Sequence, residues 1–139
     1  MSRLLLLLFS MSLLISCNKA PNGKTQAAIV VSTADWQLML NDHRAPVETP
    51  LIFSLSFNPD ISKVPVNIQA ELVGVSMYMG KIPLQFSKTA KQSGNHYKAE
   101  FLLGACSIRK MQWQLSLNIR YDDASVDTET AVFYSSWVN

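Results

Sequence analysis

The feature that most constrains the fold is a repeated two-residue alternation of apolar and polar side chains. From Trp113 to Tyr121 ("WQLSLNIRY"), every second residue is large and apolar and the residues between are polar. Successive side chains of a strand point to opposite faces, so this pattern predicts a strand with one buried face. The same alternation recurs in residues 51–57, 66–72 and 96–103. Strands of this kind are typical of antiparallel sheets with one face on the core.

Three weaker patterns predict further strands in residues 34–40, 83–89 and 126–137. Turn-forming sequences separate the strands: "NDHRAP", "NPDISKVP", "KQSGN" and "YDDAS". No segment shows a sustained helical period. About seven short strands predict an all-β domain over residues 31–139, a two-sheet antiparallel sandwich with immunoglobulin-like architecture.

The N-terminus has the pattern of an export signal. Arg3 precedes an apolar run from Leu4 to Ile15, which is shorter than the roughly 20 residues that span a bilayer and has the length of a signal-peptide core. The run ends in Leu14-Ile15-Ser16-Cys17 and resembles the lipobox of bacterial lipoproteins. That resemblance implies removal of signal peptide 1–16, a diacylglycerol thioether on Cys17 and an acyl chain such as palmitate on the new amino terminus. The alternative is an ordinary signal peptide with an unmodified cysteine.

Residues 17–30 are then the lipidated cysteine and a polar, flexible tether. The lipid would anchor the protein to a membrane without spanning it. We therefore expect a bacterial cell-envelope protein that faces the periplasm. Asn18 stands where an aspartate commonly signals retention in the inner membrane, which favours the outer membrane.

Charge excludes one class of partner. Loss of residues 1–16 removes Arg3, so the Lys and Arg count falls from 12 to 12 − 1 = 11, against 10 Asp and Glu. A nearly neutral chain without a basic run has no electrostatic footprint for nucleic acid. The expected partners are a membrane, through the lipid, and a protein that donates or accepts a ligand, with the chain itself a monomer.

Sulfur-containing residues fall on connections that strand direction places together. If consecutive strands run antiparallel, the first, third and fifth connections lie at the same end of the sandwich. "GVSMYMGKIP" is the third, with Met77 and Met79; "GACSIRKM" is the fifth, with Cys106 and Met111; "NDHRAP" is the first, with His43. Two residues apart in an extended segment, Met77 and Met79 point the same way.

A cluster of one thiol and three thioethers has a defined chemical preference. Soft sulfur ligands suit Cu(I) and are poor ligands for magnesium or calcium, and zinc rarely uses thioethers. If Cys17 is lipidated, Cys106 is a lone thiol in an exported protein, which is worth flagging as a ligand or a reactive group. The pattern therefore predicts a Cu(I) site of Met77, Met79, Cys106 and Met111, with His43 as a possible accessory ligand.

The runs "MYMGKIPLQF" and "GNHYKAEFLLGACSIRKMQW" resemble bacterial periplasmic YtkA-like and FixH-like proteins. The resemblance covers Gly74 to Tyr121 and rests on the M-x-M-G turn at Met77–Gly80 and on the later strands. It implies an immunoglobulin-like sandwich and a role in copper supply or in assembly of haem-copper oxidases. Cys106 and Met111 fit a C-x₄-M extension of copper-handling relatives.

Two alternatives remain open from the residues alone. Methionine fills irregular gaps in cores and packs on aromatic rings, so the methionines and Trp113 could belong to the core. The same end of the sandwich could instead dock a protein partner without metal. Enzymatic activity is not expected, because the chain contains no paired-carboxylate motif, nucleophile elbow or phosphate loop.

Overall fold

The structure, a computed structural model, describes residues 26–90 and 95–137. The predicted signal peptide 1–16, the predicted lipidation site Cys17 and most of the tether lie outside these residues. The described strands are β1 Ala28–Ser32, β2 Trp36–Leu40, β3 Leu51–Phe57, β4 Pro65–Gly74, β5 Lys81–Leu84, β6 Ser87–Lys88, β7 His96–Phe101, β8 Gln112–Tyr121 and β9 Val126–Tyr134. Neither described range contains a helix long and apolar enough to cross a membrane.

The strands form two antiparallel sheets. Sheet 1 has the order β1-β2-β3-β7-β6, and sheet 2 has the order β5-β4-β8-β9. β8 pairs along nearly its whole length with both neighbours, with β4 from Pro65 opposite Tyr121 to Gly74 opposite Trp113 and with β9 from Gln112 opposite Tyr134 to Arg120 opposite Val126. The prediction of an all-β, two-sheet sandwich with immunoglobulin-like architecture is confirmed.

The apolar residues of the alternating pattern form the core between the two sheets. Every second residue of β3 and of β8 is buried, because the period of two turns each apolar residue toward the facing sheet. Phe53 stacks on Phe101 of its own sheet, with 4.8 Å between ring centroids, and meets Phe133 of the other sheet edge to face at 5.9 Å. Burial of a large apolar side chain contributes about 1.5–3 kcal/mol, so these two strands supply a large share of the driving force for folding.

The described residues form more strands than the seven predicted. β1 begins at Ala28, inside the predicted tether 17–30, so residues 28–30 also belong to the sandwich; Val30 and Val31 pack against the core. The strand predicted at 83–89 is divided. Its first part, β5, pairs with β4 in sheet 2, and β6 pairs with β7 in sheet 1. Phe86, between them, packs against the core as the chain crosses from one sheet to the other.

Three connections meet at one end of the sandwich, which we call the sulfur end: loops 41–50, 75–80 and 102–111. Glu48 N donates to Leu103 O at 2.8 Å, and Val75 N donates to Gln112 O at 2.8 Å. The chain also enters at this end, because His43 N donates to Gln26 O at 2.8 Å. The strand-direction argument therefore placed these loops correctly.

The opposite end, which we call the far end, is closed by a polar cluster. Asp127 of sheet 2 accepts hydrogen bonds from Trp36 Nε1 of sheet 1 at 3.0 Å and from Tyr121 Oη at 2.7 Å. Partial burial acts to raise the pKa of Asp127. The Tyr121 and Trp36 hydrogen bonds and the nearby charge of Lys63 outweigh burial, so the pKa is lowered. The carboxylate thus joins the two sheets in its charged form.

Candidate metal site at the sulfur end

The hairpin between β4 and β5 presents Met77 and Met79 at the surface. Their exposed fractions are 39% and 37%, and that of Tyr78 between them is 76%. Gly80 has a φ of 80°, in the left-handed region that glycine adopts without steric cost, and so it turns the chain into β5. These exposures argue against the core-filling interpretation for Met77 and Met79.

Gly74 has a different role from Gly80. It is the last residue of β4 and pairs with Trp113. A Cβ atom at this position would overlap the Cε of Met111 and the carbonyl oxygen of Met77. Glycine is therefore required here for a close approach, and this approach places the start of the methionine hairpin against Met111.

Cys106 and Met111 form a sulfur pair within loop 102–111. Cys106 Sγ lies 3.5 Å from Met111 Sδ and 3.4 Å from Ile108 O, to which the thiol can donate. Cys106 is half-buried, whereas Met111 is 1% exposed. If both metal–sulfur bonds were about 2.3 Å, the length of zinc–sulfur bonds, this separation would correspond to a sulfur–metal–sulfur angle of about 100°.

The methionine hairpin lies directly beside the loop that carries the sulfur pair. The Cε of Met79 lies 3.5 Å from the position of a Cβ on Gly104, two residues before Cys106. Gln112 N donates to Ser76 Oγ at 3.0 Å and ties the hairpin to the start of β8. The four predicted ligands are therefore on adjoining segments.

The remaining predicted residues have other described contacts. His43 Nδ1 lies 3.1 Å from Gln26 O and 3.8 Å from Asp42 Oδ1, so the described contacts of His43 are not with the sulfur residues. Trp113 is buried, and its Nε1 donates to Ser135 Oγ at 3.1 Å. Trp113 and the predicted ligand Met111 both belong to the buried hydrophobic core, as one of the open alternatives held for them.

The two basic residues of loop 102–111 lie over aromatic rings. Arg109 lies 5.8 Å from the ring centroid of Trp137, and Lys110 lies 4.9 Å from that of Tyr134. A cation over an aromatic face is attracted by the quadrupole of the ring. Nothing in the sequence pattern indicated these two pairs, because they join residues whose proximity depends on the loop path.

Sequence reasoning also missed groups that position the sulfur pair. The carbonyl of Ile108 and the hydroxyl of Ser76 hold the two loops, and neither residue type carries a distinctive signal. Residues 26–90 and 95–137 contain no group of three or more His, Cys, Asp or Glu arranged to hold a metal ion. The candidate site therefore consists of one thiol and three thioethers.

Comparison with known proteins identifies a fold and no family. No protein-family model matches the chain, and no curated protein matches it. The crystal structure of a DUF4426 family protein from Pseudomonas aeruginosa superimposes with a TM-score of 0.57 and 9% sequence identity, over 81% of this chain and 100% of that one. The resemblance to YtkA-like and FixH-like proteins rests on the quoted motifs alone, and what the solved structure shows is the shared sandwich fold.

Proposed function

We propose that this protein is a membrane-anchored Cu(I)-binding lipoprotein that supplies copper to, or accepts it from, another protein. The 3.5 Å separation of Cys106 Sγ and Met111 Sδ carries the proposal. Two sulfurs at this distance can bind one ion without rearrangement of the backbone. Thiolate and thioether together favour Cu(I) over harder cations.

The exposed methionines extend this pair toward solvent. Met111 is buried and cannot capture an ion directly from a partner. Met77 and Met79 are exposed and belong to the hairpin that contacts Met111 and Gly104. Cu(I) would first bind the neutral thioethers of Met77 and Met79 at the surface. It would then pass to the thiolate of Cys106 beneath them, which binds Cu(I) more tightly. Supply of copper for haem-copper oxidase assembly, as the motif resemblance implies, is consistent with this route.

The test is a competition titration with Cu(I). Anaerobic, reduced protein beginning at Asn18 lacks Cys17, so Cys106 is its single thiol. We expect one equivalent of Cu(I) to be withdrawn from a chromophoric Cu(I) chelator. Cys106→Ser and Met111→Leu should each abolish this transfer, and Met77→Leu and Met79→Leu should weaken it, because leucine keeps the volume of methionine without its sulfur.

Met39→Leu is the matched control. Met39 lies in β2 between the buried residues Leu38 and Leu40 and points to the outer face of sheet 1, so its loss should leave Cu(I) transfer unchanged. Binding that persists in the Cys106→Ser, Met77→Leu and Met79→Leu triple variant would refute the copper proposal. The exposed Tyr78 and its neighbours would then favour the second candidate function, a protein-interaction module of the cell envelope.

A further inference from the structure

The sulfur end carries exposed apolar and aromatic side chains, most of which the proposed copper site does not use. We call these side chains the apolar tip. Tyr78 is 76% exposed and Trp137 is 42% exposed, so both rings are available to solvent. The other exposed apolar side chains of the tip are Val75, Met77, Met79, Leu102 and Tyr134. Several exposed apolar side chains at one end of a domain are typical of a contact with another molecule or a membrane.

The charges of the domain differ between its two ends. At the sulfur end, Asp42 pairs with Arg44 and Glu71 with Lys81. Among the described residues of that end, this leaves Arg109 and Lys110 against Glu48 and Glu100. At the far end, Lys63 is shared by Asp35 and Asp127, and turns 58–64 and 122–125 add Asp60, Asp122 and Asp123. The charges at the sulfur end therefore balance, with its two cations beside the aromatic rings of the apolar tip, whereas the far end is acidic.

The place where the N-terminal segment joins the sandwich indicates what the apolar tip contacts. Gln26 lies at the sulfur end, where its carbonyl accepts from His43 N. Eight residues, 18–25, lie between it and Cys17, so nine Cα–Cα steps join the two. A random chain of nine steps has a root-mean-square span of about 17 Å, and a fully extended one reaches about 30 Å. The ten residues of β8 alone extend about 30 Å, so a tether from Cys17 readily holds the sulfur end at the membrane and scarcely allows the far end to reach it.

We propose that the apolar tip docks on the anionic lipid surface in which Cys17 is anchored. Tyr78 and Trp137 would lie at the level of the headgroups, where amphipathic aromatic rings are favoured. Arg109 and Lys110 lie over Trp137 and Tyr134, so their charges meet anionic headgroups beside the inserted rings. The proposal goes beyond copper binding and rests on the predicted anchor at Cys17.

The experiment reproduces the anchor chemically. The chain from Cys17 onward, with Cys106→Ser, is coupled through Cys17 to a maleimide lipid in phosphatidylglycerol vesicles that contain brominated acyl chains. Copper is absent and Cys106 is replaced, so the result is independent of the copper proposal. Trp36 and Trp113 are buried, which makes Trp137 the expected reporter of quenching by the lipid.

We expect Trp137 fluorescence to be quenched in phosphatidylglycerol vesicles and much less in phosphatidylcholine vesicles. A basic residue near an anionic surface contributes about 1 kcal/mol, so Arg109→Gln and Lys110→Gln should each reduce the docked-to-undocked ratio about fivefold. Lys88→Gln is the control, because Lys88 bonds Asn95 near the far end and should not affect docking. Tyr78→Ser should also reduce quenching.

A second reporter tests the orientation. Ser62→Trp in a Trp137→Phe background places an exposed tryptophan at the far end and should not be quenched. Equal quenching of both reporters, or Trp137 that stays accessible to aqueous acrylamide on the vesicles, would overturn the proposal. If Trp137 stayed accessible on the vesicles, the result would favour a protein partner, and not lipid, as the molecule that contacts the apolar tip.

Discussion

Replacement of Gly74 by alanine tests the packing that brings the methionine hairpin to Met111. The new Cβ would overlap the flexible end of Met111, which can move, and the carbonyl oxygen of Met77, which belongs to the backbone of the hairpin. Relief of the second overlap requires the hairpin to shift. Such a shift strains the hydrogen bonds from Val75 N to Gln112 O at 2.8 Å and from Gln112 N to Ser76 Oγ at 3.0 Å.

The expected cost combines two terms. Overpacking of a tight site typically costs 1–3 kcal/mol, and a lost hydrogen bond costs about 1 kcal/mol. Gly74→Ala should therefore lower the free energy of unfolding by about 2–4 kcal/mol. At about 4 °C or more per kcal/mol for a domain of this size, Tm should fall by about 8 °C or more. Urea unfolding should show a lower midpoint with an unchanged m-value.

Gly104→Ala is the matched control. Its Cβ would lie 3.5 Å from Met79 Cε, an ordinary contact, so stability should change by no more than about 0.5 kcal/mol. Met111→Val in the Gly74→Ala background removes one of the two overlaps, and the double-mutant cycle should give a favourable coupling energy. If the Gly74→Ala variant were as stable as the Gly104→Ala variant, the close approach at Gly74 would be refuted.

The other predictions concern the far end of the sandwich. Asp127→Ala removes two hydrogen bonds to a carboxylate and leaves the buried Trp36 Nε1 without its acceptor; chemical denaturation should show a loss of about 2–3 kcal/mol, and no loss would contradict the role of this carboxylate in joining the sheets. Because the pKa of Asp127 is lowered in the folded protein, its stabilisation is present above the unfolded value of about 3.9 and is lost as pH falls through the lowered folded pKa. Wild-type Tm should consequently fall more steeply than that of Asp127→Ala in acid, and parallel curves would contradict this. Ala124 has a φ of 66°, so Ala124→Gly should raise stability by about 0.5 kcal/mol, measured against Ala131→Gly in β9, which should lower it.

Period-two alternation was sufficient to predict most of the sandwich. In β3 and β8, a one-residue shift in register would expose the whole apolar face, so the pattern specifies both the strand and its buried side. β1 escaped prediction because "AIVVS" does not alternate and its register shifts between Ile29 and Val31. The division of strand 83–89 also escaped, because "PLQFSKT" contains no turn signal where Phe86 carries the chain between sheets.

The candidate site was predictable in its location and not in its contacts. Strand direction alone assigns loops 41–50, 75–80 and 102–111 to one end. The distance between Cys106 and Met111 depends on the irregular path of loop 102–111, where Ile108 O holds the thiol. No periodicity describes that path. The hydrogen bonds of His43 to Gln26 likewise depend on β1, which the sequence pattern did not predict.

Both ends of the described chain lie at the sulfur end, since Ser136 O accepts from Val47 N at 2.9 Å and Gln26 O accepts from His43 N. This arrangement determines where the protein can be labelled. A peptide tag or fluorescent fusion on either terminus would crowd Met77, Met79 and the apolar tip, and would compete with any copper or lipid bound there. Insertion into the exposed turn near Asp60 would place the same label at the far end, about 30 Å away by the length of β8. Loop insertion is therefore the labelling strategy that leaves the proposed functional surface accessible.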